Sequence, residues 1–233
     1  MVVHVNPIRL FPRPPEGAAR ESSWRPGGAI LVAIALFWLL PDAFTPLPAV
    51  LVVVLELTLL VVLIVFAPHR HGTVDRWQRV LAMVVIACIT MSNAWSLWLL
   101  IGDLVNPALP LNGLQLIASA GAIWATNVIV FALWFWELDR GGPDARAAAD
   151  DGSSEVTYPD FQFPQMENPT LAPAAWRPQF FDYLYTSFTN GTAFSPTDTM
   201  PLSQWAKLLM MSQSGVSLLI VVLVTARAVN VLV

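Results

Sequence analysis

Charge is what this sequence has least of. Twelve Lys and Arg and sixteen Asp and Glu make up only 12% of 233 residues, about half the roughly 25% of an ordinary soluble domain. A chain of that length and 56% apolar content has no soluble core large enough to hide its apolar runs, which places it in a membrane. The net charge of −4 gives no basic footprint for nucleic acid. Cysteine is nearly absent. Cys88 stands alone, so neither an intrachain disulfide nor a cysteine-based metal site can form. Histidine is as scarce. His69 and His71 flank Arg70 on a basic loop and read as a solvated pair rather than as metal ligands. There is no Ser-His-Asp set in a plausible setting, no phosphate-binding glycine loop and no metal-ligand spacing. No cofactor is expected, and an enzyme is the least favoured class.

Apolar runs are what the sequence has in abundance. Ala49–Ala67, Val80–Gly102, Leu114–Trp136 and Leu208–Ala226 each reach the roughly 20 residues that cross a hydrocarbon core of about 30 Å. A shorter run, Gly28–Leu40, gains length if its helix starts at Trp24 with Pro26 in the first turn. Its other reading is the core of a signal peptide. The long Pro-rich stretch before it and the poor cleavage site "PDAFTP" argue against that. The expectation is an all-α integral membrane fold with about five transmembrane helices.

Orientation follows from Lys and Arg in short loops. The tail before Trp24 carries Arg9, Arg13 and Arg20, and Arg25 opens the first helix; the 68–79 loop carries Arg70, Arg76 and Arg79; Arg140 and Arg146 follow the fourth helix. The 41–48 loop and "DLVNPALPLN" carry none. The N-terminus and the 68–79 and 138–207 segments are therefore expected inside, with the last helix running outward.

Four regions follow: a mostly disordered tail, 1–23; a four-helix membrane bundle, 24–137; a linker and strap, 138–178; and a C-terminal unit, 179–233. "DRGGPDARAAADDGSSE" has linker composition and no apolar periodicity. "VTYPDFQFPQMENPTLAPAAWRP" holds five prolines among aromatics and reads as an extended, non-helical strap lying on something. In Gln179–Asn190 the residues Phe181, Leu184, Tyr185 and Phe188 recur at helical spacing behind Pro178. That helix, roughly 18 Å long, is too short to cross. It either lies at the interface or dips in and returns.

The polar turn behind it is the most informative stretch. In "TAFSPTDTMPLSQW", Asp198, Pro201 and Trp205 stand at the spacing of the Asp, Pro and Trp that follow the filter of potassium channels, which this segment resembles. The resemblance implies a pore helix ending at Thr192 and filter-like positions at Ala193, Phe194, Ser195, Pro196, Thr197 and Asp198. The departure is that Ser195 and Thr197 replace the two filter glycines. Without glycine's backbone freedom, and with Pro196 fixing its own φ, a stack of inward carbonyls cannot form as it does in those channels. Ions would be met by Thr192, Ser195, Thr197 and Asp198 instead. The families also disagree in side: potassium filters face outward, whereas the basic-loop count places this turn inside, and that count is preferred here.

A broader resemblance covers most of the chain. The run Asp182, Tyr183, Leu184, Tyr185, Ser187, Phe188, Thr189, Gly191, Phe194, Thr197 and Asp198, with Val229 and Asn230 at the end, is similar to an uncharacterised family of bacterial integral membrane proteins, a domain of unknown function. It implies the helix order and no biochemical activity.

Other polar residues lie within the runs. Glu56 interrupts "VVVLELTLLVV"; an intramembrane ionisable residue is either functional or a hydrogen-bonded packing group. Ser92, Asn93, Ser96, Thr126 and Asn127 can bond between helices. On the last helix Ser214, Leu218, Val221 and Thr225 share a face, and Ser212 and Gly215 would admit a close neighbour. Trp95, Trp98, Trp134 and Trp136 suit interfacial anchoring. Asn190 opens a glycosylation sequon that its place beside the turn discounts. The functional expectation is a pore-loop-like cation permeation module of the cell membrane. The alternative is a non-conducting structural or partner-binding membrane protein, with a small transporter using Glu56 as a weaker third reading. Expected partners are membrane lipid, monovalent cations and further copies of the chain.

Overall fold

The computed structural model describes residues 24–45, 49–66, 76–105, 113–151, 158–168, 170, 172–173, 176–193 and 198–232. Helix α1, Trp24–Trp38, carries Pro26 in its first turn as expected, where a missing N–H costs no helical bond. A 3₁₀ turn, Asp42–Phe44, then buries Phe44. Helices α2, Ala49–Phe66, α3, Arg76–Val105, and α4, Gly113–Leu138, follow. After a second 3₁₀ turn, Asp139–Gly141, come α5, Pro143–Asp151, strand β1, Phe161–Gln162, and the single turn α6, Pro164–Glu167. Helix α7, Phe180–Ala193, strand β2, Met200–Pro201, and helix α8, Gln204–Leu232, complete the chain.

Among the described residues three helical stretches, Trp77–Val105, Gly113–Gly141 and Gln204–Thr225, are long and apolar enough to cross a membrane, and α1 is a shorter apolar helix. The outward faces agree with an apolar surround: Trp98, Trp205, Met211 and Val222 are among many large apolar side chains left exposed. Helix α4 is the most buried of the three spans and packs against α1, α3, α7 and α8. Ile30, Ala33, Ile34, Phe37, Val85, Ile89, Ile123, Val130 and Leu133 form the main core around it.

Arg79 Nε at the start of α3 lies 3.6 Å from Glu137 Oε1 at the end of α4, so these helices run antiparallel. Arg25 at the start of α1 donates from Nη1 to Gln179 Oε1, just before α7. The starts of α1, α3 and α7 and the end of α4 thus share one end of the bundle, the one the basic-loop count assigns to the inside.

Two expectations for 138–178 need correction. The stretch read as linker holds α5, because Pro143 suits a first helical position and Ala145 and Ala147–Ala149 are strong helix formers. Gly142 (φ 99°) makes the bend before it, and a side chain there would sit 3.1 Å from Glu137 O. The strap read as non-helical contains α6, whose Pro164 opens the turn and whose carbonyl accepts from Asn168 N at 3.1 Å. The described extended part of the strap is β1, Phe161–Gln162, and Trp176 N closes a turn onto Pro173 O at 3.0 Å. Phe161 and Phe163 bury against Phe135 and Tyr183.

Candidate functional site

The short amphipathic helix forms as expected and runs three residues further than Asn190, to Ala193. Its outer face carries the exposed Phe181, Tyr185 and Phe188. Its inner face carries Ser187, Asn190 and Gly191, all buried against α4 and α8. Ser187 Oγ donates to Val128 O of α4 at 2.6 Å. Gln213 Nε2 of α8 donates to Ser187 O at 2.8 Å and to Ser187 Oγ at 2.6 Å. Asn190 Nδ2 donates to Met210 O at 3.0 Å and to Gln213 Oε1 at 2.9 Å. Ser214 Oγ lies 3.1 Å from Asn190 Oδ1, and Asn127 Nδ2 donates to Ser217 Oγ at 3.4 Å. Gly191 permits the close approach, since a Cβ there would lie 3.1 Å from Ser217 Oγ. The amide hydrogens of Asn190 are consumed inside the protein, which disposes of the glycosylation reading.

The direction of α7 follows from these contacts. Tyr183, in its first turn, meets Asp139 just past the end of α4; Ser187 meets Val128; Trp124 Nε1 donates to Gly191 O at 3.5 Å. Helix α7 therefore descends along α4 from the charged end over roughly 21 Å, about half of the α4–turn span. Then the chain comes back. The hydroxyls of Thr186 and Thr199 are 3.1 Å apart, β2 pairs antiparallel with β1 (Phe161 with Pro201), and Leu202 N donates to Asp160 O at 2.8 Å. Asp160 N in turn donates to Asp139 Oδ1 at 2.8 Å. Both ends of the 179–203 segment thus lie at one end of the bundle.

That end is latched by buried charge. Asp139 is 0% exposed. Its Oδ2 accepts from the Tyr183 hydroxyl at 2.6 Å and lies 3.6 Å from Arg140 Nε. Arg140 sits in the left-handed region (φ 51°), an unfavourable conformation for a long side chain. It is held there by its own N–H donating to Asp160 Oδ2 at 3.0 Å. Arg146 Nη1 donates to Trp136 O at 2.7 Å and Asp139 O at 2.9 Å, and its guanidinium lies 5.3 Å from the Tyr183 ring centre. Burial pushes the Tyr183 phenol well above its usual range; Arg146 pulls it down and Asp139 pushes it up.

The filter-like residues are described only at their flanks. Thr192 is exposed in the last turn of α7, its hydroxyl donating to Phe188 O at 2.9 Å, and Ala193 ends the helix. Phe194, Ser195, Pro196 and Thr197 lie outside the described residues, as do His69 and His71. Asp198 is exposed. The last helix is capped by Ser203, whose Oγ accepts from Ala206 N at 3.2 Å.

On α8 the buried face is Gln213, Ser217 and Ile220, whereas Leu218 and Val221 are exposed, and of the expected stripe only Ser214 joins the network. Trp134 Nε1 donates to Thr90 Oγ1 at 3.0 Å, tying α4 to α3. Glu56 is buried at 1% exposure and accepts from Ser92 Oγ at 3.3 Å. Among the described residues no group of three or more His, Cys, Asp or Glu could hold a metal ion. No family model, curated protein or solved structure matches this chain.

Proposed function

We propose that this is an integral membrane protein of the cell membrane. Helices α1, α2, α3, α4 and α8 would make five crossings, and α7 is a re-entrant half-helix carrying the polar turn at 192–198 into the bilayer as part of a cation permeation path. The single observation behind this is the return of the 179–203 segment to the end it started from, with the C-terminus of α7 beside Trp124 of α4. The C-terminal end of the α7 dipole carries roughly half a negative charge, which favours cations, and Asp198 adds a full one. One half-helix per chain cannot encircle an axis, where potassium channels use four. The exposed Phe181–Tyr185–Phe188 face is accordingly assigned to neighbouring copies of the chain and to lipid. Membership of the uncharacterised bacterial membrane family that residues 182–198 resemble belongs to the same proposal and adds architecture only. The test is reconstitution into liposomes. Cation flux with weak discrimination between potassium and sodium, lowered by Asp198→Asn, is expected. Folded protein without flux over a range of voltage and pH sinks the proposal.

The second reading, a non-conducting structural or partner-binding protein, draws on the saturation of the α7 seat, whose Asn190 and Gln213 amides are wholly engaged. There α7 would be a rigid brace and the 155–178 strap a docking surface.

A further inference from the structure

We propose that Glu56, Ser92 and Ser96 form a binding site for one small monovalent cation between α2 and α3. Three observations carry it, none of them from α7. Glu56 is 1% exposed and its Oε1 has Ser92 Oγ at 3.3 Å. Its Oε2 is buried without a hydrogen-bond partner among the described residues. Ser96, one helical turn beyond Ser92 and so on the same face of α3, is 0% exposed, and its Oγ is also buried without a partner among the described residues. Buried oxygens left unbonded are costly, and more so where no water competes to solvate them. Two of them on packed helices, one a carboxylate oxygen and one a hydroxyl, are hard donors short of an acceptor of electron density.

Charge and geometry select the ligand. No described Lys or Arg pairs with Glu56, so an ionised carboxylate there leaves one negative charge uncompensated. One monovalent cation cancels it, whereas a divalent ion would leave the interior positive. A proton serves the pair less well. It would give Oε2 a donor and leave the Ser96 hydroxyl as it is, because the two oxygens do not hydrogen-bond each other. An ion ligated by Oε2, Ser92 Oγ and Ser96 Oγ engages all three, and carboxylate and hydroxyl oxygens are the donors that hard cations take.

The experiment uses dicyclohexylcarbodiimide, which adds to a membrane-buried carboxyl and rearranges to a stable N-acylurea detectable by mass. The full chain in liposomes is treated in N-methylglucamine chloride, then with sodium, lithium or potassium chloride replacing it at constant ionic strength. An adduct at Glu56, absent in Glu56→Gln, is expected. Sodium or lithium should slow its formation at least about tenfold, and Ser96→Ala should weaken that protection about tenfold while labelling persists. Equal labelling rates in all four salts overturn the proposal, and so does absence of any adduct in the organic salt, since the site would then exchange no ion. Labelling reads no current, so a protein that fails to conduct still tests this site.

Discussion

The seat of α7 and the α2–α3 interface bury similar polar groups to opposite effect. In the seat, Asn190 and Gln213 spend their amide hydrogens on Met210 O, Gln213 Oε1, Ser187 O and Ser187 Oγ. Between α2 and α3, Glu56 Oε2 and Ser96 Oγ have no such partners among the described residues. A saturated network rigidifies and positions; an unsaturated one has capacity for a ligand. The seat therefore reads as the device that fixes how deep α7 goes, and the Glu56 pair as a place where something binds.

The sharpest way to break this comparison is at the charged latch above the seat. Asp139→Ala orphans the Tyr183 hydroxyl and Asp160 N and strips Arg140 of its carboxylate partner. Removing one member of a buried charge pair should cost about 3–5 kcal/mol, read as a large fall in the unfolding midpoint in mild detergent. A loss below about 1 kcal/mol would show that the latch holds nothing. Within the seat, Asn190→Ala leaves Met210 O and Gln213 Oε1 short of a donor, for an expected cost of about 1–3 kcal/mol. Asparagine-to-alanine changes nothing in an unstrained exposed turn, so a near-zero effect would return α7 to the surface.

Smaller effects sharpen it further. Ser203→Ala removes the cap of α8 and should cost about 1 kcal/mol, whereas Asp198→Asn should leave thermal unfolding unchanged and act on flux alone. Equal destabilisation by both would undo the assignment of the cap. The smallest effect belongs to Glu56→Gln in buffer free of small cations: the amide keeps an acceptor for Ser92, so stability should shift by less than about 1 kcal/mol. Sodium should then stabilise the native chain and not the variant, because a ligand raises stability only where its site exists. A large loss on Glu56→Gln without sodium would mean that the charge is paired within the protein.

The long helices and α7 were legible because they are written as periodicity: apolar runs of bilayer length, and Phe181, Leu184, Tyr185 and Phe188 at helical spacing. The latch was not. "DRGGPDARAAADDGSSE" reads as a linker, and nothing local says that Asp139, Arg140 and Arg146 fold under Tyr183, more than 35 residues on. The buried face of α8 was missed for another reason. A helix apolar on every side carries no stripe, so Gln213 and Ser217 could be distinguished from Leu218 and Val221 only by what packs against them. The cap of α8 was within reach of the sequence: Ser203 stands immediately before Gln204, where a serine N-cap belongs. Glu56 was legible as an ionisable residue in an apolar run; its orphaned oxygen was not, because that depends on the partner face of α3.

The return of the 179–203 segment is the claim on which the rest depends, and sidedness tests it most directly. Cysteines would be placed singly at Gln179 and Ser203 in a Cys88→Ala background, in sealed vesicles of known orientation, and probed with a membrane-impermeant maleimide from each side. Labelling of both positions from one face, the face that also labels Arg25→Cys, is the result the fold predicts. Labelling of Gln179 and Ser203 from opposite faces would contradict it and make α7 part of a sixth crossing.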